Sequence, residues 1–230
     1  MCVDQNARGH GKLLIGVSSA SDSWLYFRIR VALSQQYPEV QTKAVTGSAV
    51  QLVERLMRND LHAGLIELPI RCRGISVLSI SQEPIVFAIS ERDVLASAKI
   101  IRPEQIHRKT LALVSNEADL AHHKIIAALA SWGYHPENVQ PVLTTSQALD
   151  FVAAERCLAA VRASTTRFCL KGITSRPTEG LPMLDAGIAY RRADLTMTIR
   201  NFLRVVRQEF SAEREKMKEC RLGDQPRLAP

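Results

Sequence analysis

The sequence predicts an α/β protein built as two lobes, each a mainly parallel sheet with helices on both faces. Three observations carry this. Short apolar runs alternate with segments of helical period across residues 13–66, and the alternation restarts across residues 110–161. Each run gives way to small hydroxyl, amide or glycine residues that turn the chain. Two further extended stretches, residues 86–90 and 186–191, lead the chain out of one lobe and back, so a two-strand hinge joins the lobes. Strand, helix, strand order of this kind implies right-handed crossovers, which put helices on both sides of a sheet.

Taken in order, residues 13–17 are expected as the first strand, closed by the turn and cap residues Ser18, Ser19, Ala20, Ser21, Asp22 and Ser23. A helix follows, with Trp24, Leu25, Ile29, Ala32 and Leu33 at helical spacing. Tyr37-Pro38 ends it, because proline disfavours helical backbone in the residue before it. Residues 40–45 supply the second strand. Ser48 is placed to cap the next helix, whose inner face is Leu52, Val53, Leu56 and Met57, and Asn59-Asp60 breaks it ahead of a strand at 63–66. After the turn Arg71-Cys72-Arg73-Gly74, residues 75–80 and 84–90 are expected as two strands joined by the polar Ser81-Gln82-Glu83. The second lobe reads as strand 110–114, helix 119–132, strand 140–143, helix 146–154 and strand 158–161.

A closing helix over residues 194–210 turns Ile199, Phe202, Leu203 and Val206 inward and Arg200, Arg204 and Arg207 outward. Residues 211–230 are polar and expected to fray. The resulting organisation is a linker remnant at 1–12, lobe I at 13–88 and 188–210, lobe II at 89–187, and a C-terminal tail at 211–230.

Composition narrows the function classes. A chain of 230 residues, 46% hydrophobic, gives each lobe of roughly 100 residues a core of its own and argues against disorder. Apolar runs such as 85–89 fall far short of the roughly 20 residues a membrane helix needs. The polar N-terminus carries Gly9-His10-Gly11 where a signal peptide needs an apolar core, so a cytoplasmic protein with no membrane partner is expected. The five cysteines, Cys2, Cys72, Cys157, Cys169 and Cys220, are odd in number and form no CxxC pair. They read as reduced thiols, with a Cys157–Cys169 redox pair as the rarer alternative. Net charge is +7, and residues 190–230 hold ten Lys or Arg against six Asp or Glu. That balance favours a polyanionic partner or an anionic ligand, against the plainer reading of a solvated basic helix.

No GxSxG, HExxH, Walker loop or GxGxxG occurs in the chain. His122-His123 are adjacent on a helix and point about 100° apart, a poor geometry for holding one metal together. We expect no catalytic residue, no metal and no cofactor.

In open α/β sheets ligands bind beyond the carboxyl ends of the strands, where helix N-termini converge. The loops after Val17, Val45, Val114 and Leu143 occupy that place. They carry Ser18, Ser19 and Ser21, then Thr46 and Ser48, then Ser115 and Asn116, then Thr144, Thr145 and Ser146. Unpaired N–H groups and partial positive charge at helix N-termini suit a carboxylate or phosphate without any arginine, so an anionic metabolite is expected. The plainer role for each Ser or Thr is helix capping alone.

The chain also has a recognisable wording. Gln35-Gln36-Tyr37-Pro38-Glu39-Val40, Thr46-Gly47-Ser48 and Leu52-Val53-Glu54-Arg55-Leu56-Met57-Arg58-Asn59-Asp60-Leu61 follow Leu14-Ile15-Gly16. Together they resemble the effector-binding domain of LysR-type bacterial transcriptional regulators. Ala7-Arg8-Gly9-His10-Gly11-Lys12-Leu13 resembles the end of that family's linker, Glu83-Pro84-Ile85-Val86 its Glu-Pro-Leu-Val strand, and residues 150–154 its second-lobe helix. The likeness extends over residues 6–208. It implies two Rossmann-like lobes of the periplasmic-binding-protein type 2 fold, closing on a small-molecule effector and acting as a sensor rather than a catalyst.

By position, the resemblance places effector contacts at Ala20 and Ser48, and at Ser115 and Asn116 from the second lobe. Ala20 stands where the family usually has a hydroxyl. Glu155-Arg156-Cys157-Leu158 and Arg162 stand where it often has Gly-Leu-Gly-Ile followed by proline. The resemblance further implies a homodimer or higher homo-oligomer, with Trp24, Tyr26 and Phe27 able to seed the contact. DNA recognition in the family belongs to a winged helix-turn-helix ahead of this domain. Met1 falls inside the linker-like stretch, so a longer gene product is expected, with a stand-alone sensor acting through a protein partner as the alternative. An exported solute-binding protein and nonspecific DNA contact through Arg200, Arg204 and Arg207 are the remaining rivals. Ser48→Ala is expected to weaken effector binding and leave thermal stability almost intact.

Overall fold

A computed structural model describes residues 11–18, 23–114, 120–134, 138–167 and 171–215. The described residues fall into two compact units, the first within 1–82 and 185–230 and the second Glu83–Leu184.

In unit 1, β1 (Lys12–Ser18) pairs in parallel with β2 (Gln41–Gly47) on one side and β3 (Ala63–Leu68) on the other. β9 (Met183–Arg191) returns antiparallel to β3. A strand covered on both faces needs apolar side chains on both, and β1 and β3 supply them. Leu13, Ile15, Val17, Ala63 and Leu65 enter one core, while Leu14 and Ile66 enter the other. Helix α1 (Ser23–Gln36) buries Leu25, Ile29, Ala32 and Leu33 in the first of these cores. α2 (Ala49–Met57) buries Leu52 and Leu56 in the second. Gly16 permits that contact, since a Cβ there would stand 2.7 Å from Leu52 Cδ2 and 2.9 Å from Leu61 Cδ1.

The last helix of the unit, α6 (Met197–Glu209), packs Ile199, Phe202, Leu203, Val205 and Val206 with α1 and leaves Arg200, Arg204 and Arg207 exposed. Residues 211–215, expected to fray, continue as helix. Arg28 of α1 explains why: it donates to Glu209 at 2.8 Å and to Glu213 at 2.6 Å while its guanidinium covers the Phe210 ring. Burial alone would lower the Arg28 pKa, and the bonds to Glu213 and Glu209 reverse that.

The stretch 75–90 is a single strand, β4 (Ile75–Ser90), and not two. Ser81-Gln82-Glu83 lacks any Gly, Asn or Asp to reverse the chain, and its polarity marks where the strand passes from one unit into the other. In unit 2, β4 is flanked by antiparallel β7 (Leu158–Arg162) and β8 (Ile173–Pro177), and β5 (Leu111–Val114) lies parallel between β7 and β6 (Val139–Val142). Alternation sorts the side chains cleanly. Ile85, Phe87, Ile89, Leu111, Leu113, Leu158 and Ala160 face one core, completed by Ile125 and Leu129 of α4 (Leu120–Ser131). Val86, Ala88, Ala112, Ala159 and Val161 face the other, completed by Ala148, Leu149 and Val152 of α5 (Thr145–Ala153). The polar β8 and the short helix α3 (Pro103–Ile106) were not legible as elements in the sequence. Met57, expected on the inner face of α2, is 47% exposed, because it follows the last buried turn of that helix.

Candidate functional site

Parallel pairing fixes where each strand ends. Ser18 closes β1 in register with Gly47, the last residue of β2, and Ser48 follows directly as the N-cap of α2. The carboxyl edge of unit 1 therefore gathers Ser18, Thr46 and Ser48. Ser18 is buried, Ser48 half-buried and Thr46 exposed. In unit 2, Val114 ends β5 opposite Val142 of β6, which places Thr144 and Thr145 at the corresponding edge. Both threonines are exposed. Ser19, Ala20, Ser21, Ser115 and Asn116 lie outside the described residues.

The helices opening on these edges are built alike. Ser48 Oγ accepts from Gln51 N at 3.2 Å while Gln51 Oε1 accepts from Ser48 N at 3.0 Å, a reciprocal capping box. Thr144 Oγ1 accepts from Gln147 N at 3.1 Å, and Gln147 Oε1 accepts from Leu143 N at 2.8 Å. Each cap satisfies one N–H and leaves the rest of the first turn facing outward with its partial positive charge. The Ser48 hydroxyl is thus engaged in the fold, and the expectation that Ser48→Ala spares stability gives way: a lost cap of this kind costs about 1 kcal/mol.

Both helices also end alike. In α2, Asn59 N donates to Leu56 O and Asp60 N to Arg55 O; in α5, Glu155 N donates to Val152 O and Arg156 N to Phe151 O. This double bond pattern requires a left-handed residue, which is Asn59 at φ 65° and Glu155 at φ 58°. Glu155 stands at the position where the resembled family often has glycine.

One further candidate, Arg162, enters the sequence only as a departure from the family pattern. Arg162 ends β7, on the same edge as Val114, and is 9% exposed. It donates to Glu83 Oε1 at 3.2 Å, and Ser164 N donates to Glu83 Oε2 at 3.0 Å. A charge closing an otherwise apolar strand, Leu158-Ala159-Ala160-Val161-Arg162, was the available signal.

Other candidates resolve as structural. His122 Nδ1 lies 2.9 Å from Val114 O and its ring meets His123 edge to face. Among the described residues no cluster of His, Cys, Asp or Glu is placed to hold a metal. Burial pushes the Cys157 thiol up, only partly countered by a hydrogen bond with the Ala112 backbone, so it is held as thiol. Cys169 lies outside the described residues. No helix among them is long and apolar enough to cross a membrane.

Two α/β units with hydroxyl-capped helix N-termini along the carboxyl edges of their strands define a small-molecule-binding domain. The chain belongs to the LysR substrate binding domain family, which matches residues 6–211. Its fold is the type 2 periplasmic-binding-protein fold, and its role is that of the ligand-sensing domain of a LysR-type regulator. Solved structures agree on the fold. The BenM effector binding domain with its effector benzoate is similar at TM-score 0.77 and 20% identity, over 88% of this chain and 93% of that one. A reduced form of OxyR from N. meningitidis is similar at TM-score 0.75 and 16% identity, over 86% and 95%. Full-length CbnR in complex with its target DNA is similar at TM-score 0.76 and 20% identity, over 88% and 72%. Comparison with curated proteins gives no match.

Proposed function

We propose that this domain senses a small carboxylate-bearing metabolite, acting as a regulator's receptor without catalysing a reaction on it. Its candidate contacts are Ser18, Thr46 and Ser48 in unit 1 and Thr144 and Thr145 in unit 2, with Ser19, Ala20, Ser21, Ser115 and Asn116 carried as candidates on the sequence alone. The observation that carries the reading is the edge of unit 1, where buried Ser18 adjoins the Ser48-capped N-terminus of α2. Hydroxyls and unpaired amides at such an edge solvate a carboxylate and cost little reorganisation. Benzoate, named with the BenM domain, is the natural first probe. Calorimetric titration with benzoate and a panel of aliphatic mono- and dicarboxylates should yield at least one saturable binder whose affinity falls in Ser48→Gly. Failure of every carboxylate, with a neutral or cationic ligand binding instead, would overturn the ligand class.

We further propose that the domain self-associates through α1 and acts in the cytoplasm on DNA through a helix-turn-helix domain. Phe27 and Val31 are exposed on α1, 52% and 37%, and the half-buried Trp24 ring stacks on Phe27 with centroids 5.6 Å apart. Apolar residues spaced three and four apart on one helix face make a continuous contact strip.

A further inference from the structure

We propose that unit 1 holds a second ligand site, for a small oxyanion of the phosphate or sulfate class, at the amino-terminal edge of its strands. Lys12 begins β1 and Ser18 ends it, so this edge lies roughly 20 Å from the hydroxyl edge at about 3.3 Å per residue. A cavity of about 510 Å³ opens here, lined by Lys12, His62, Thr196 and Thr198 among others.

Four features of its wall favour an anion. The 13-residue helix α6 begins in it: Thr196 Oγ1 accepts from Ile199 N at 3.3 Å, leaving the amides of Met197 and Thr198 with no partner inside the helix. Thr198 is 7% exposed, and its hydroxyl is fully buried without any hydrogen-bond partner. A buried hydroxyl left unpaired is costly, and Thr198 is itself one of the residues that line this cavity. His62 Nδ1 accepts from Leu14 N at 3.0 Å, so the neutral ring carries its proton on Nε2 and offers a donor. Lys12 adds an exposed ammonium at the rim.

Arg191 and Asp194 also line the cavity but are committed elsewhere. They pair with each other, and Arg191 donates to the carbonyls of Leu56 and Leu61. They frame the site as a neutral pair. Gly11 closes it, since a Cβ built there would stand 3.0 Å from Thr198 Oγ1. The site therefore sits where the chain enters β1, independent of the residues assigned to effector sensing.

The test is thermal unfolding of the full chain in millimolar inorganic phosphate or sulfate against chloride at equal ionic strength. A ligand that binds only the folded state raises Tm with concentration, and the wild-type chain should show this. Lys12→Gln and Thr198→Val should each weaken phosphate affinity about fivefold to tenfold. Thr198→Val should not lower Tm in chloride, because the hydroxyl it removes has no partner to lose. Ser48→Gly should keep the full phosphate response. An equal rise in all variants would reduce the effect to exclusion of these anions from the protein surface and overturn the site. So would the absence of any rise in the wild-type chain, or a response lost in Ser48→Gly alone.

Discussion

Ser48 and Glu155 stand at opposite ends of matching helices, and each separates a structural role from a functional one. Ser48 caps α2 through its hydroxyl, so removing the hydroxyl touches both the fold and the proposed ligand contact. Ser48→Ala should lower stability by about 1 kcal/mol and Ser48→Gly by only a few tenths, since glycine is itself tolerated at the N-cap. Denaturant unfolding of the two variants checks this; a Ser48→Ala variant as stable as the wild type would mean the capping bond contributes nothing. Glycine is then the variant to carry into binding experiments. Glu155 holds a left-handed backbone that costs a residue with a Cβ roughly 1 kcal/mol. Its ion pair with Arg92 is exposed and returns little of that. Glu155→Gly should therefore raise stability by about 1 kcal/mol, read as a higher denaturation midpoint at unchanged slope, and a lower midpoint would show that the Arg92 pair matters more than the backbone.

Elements differed in how far their sequences announced them. α1, α2, α5 and α6 carry apolar residues at helical spacing, and α2, α5 and α6 open on hydroxyl caps, so local propensity and tertiary burial agree. β8 could not be found because Ile173-Thr174-Ser175-Arg176-Pro177 has no period; it is a strand only because β4 offers it a partner edge. The sequence of β4 suggests two strands because a change of burial along one strand looks, in one dimension, like a turn. The turn at Val94–Ser97 depends on a contact 16 residues away. Asp93 accepts from Leu95 N at 2.9 Å and is paired with Lys109. Burial alone would push the Asp93 carboxyl up, and the bonds from Lys109 and Leu95 outweigh it and hold the group below its ordinary range. A depressed folded pKa contributes stability that is present above the unfolded value of about 3.9 and is lost as pH falls through the folded one. Asp93→Asn should accordingly be less stable than wild type at neutral pH, with the gap closing in acid below about pH 4. A gap that is constant with pH would assign the effect to packing.

At the scale of the whole molecule, the sequence shows two strand and helix alternations, and the structure shows how nearly the two units repeat one plan: a hydroxyl cap, a glutamine three residues on, and a left-handed exit. Helix α1 departs from that plan in its outward stripe, and there the molecule's assembly can be tested. Leu25, Ile29, Ala32 and Leu33 already satisfy the core, so the exposed Phe27 and Val31 are surplus to the monomer's packing. Exposed aromatic area on a well-ordered helix is the kind of surface that stable interfaces bury at their centres. Phe27→Lys places a charge on that strip without touching the buried side. Sedimentation equilibrium should give twice the chain mass for the wild type and a shift towards the single-chain mass for the variant. The thermal midpoint measured at dilutions where both are monomeric should change little, because an exposed substitution is usually worth within about 0.5 kcal/mol. A dimer that survives Phe27→Lys and Val31→Lys together would move the interface off α1.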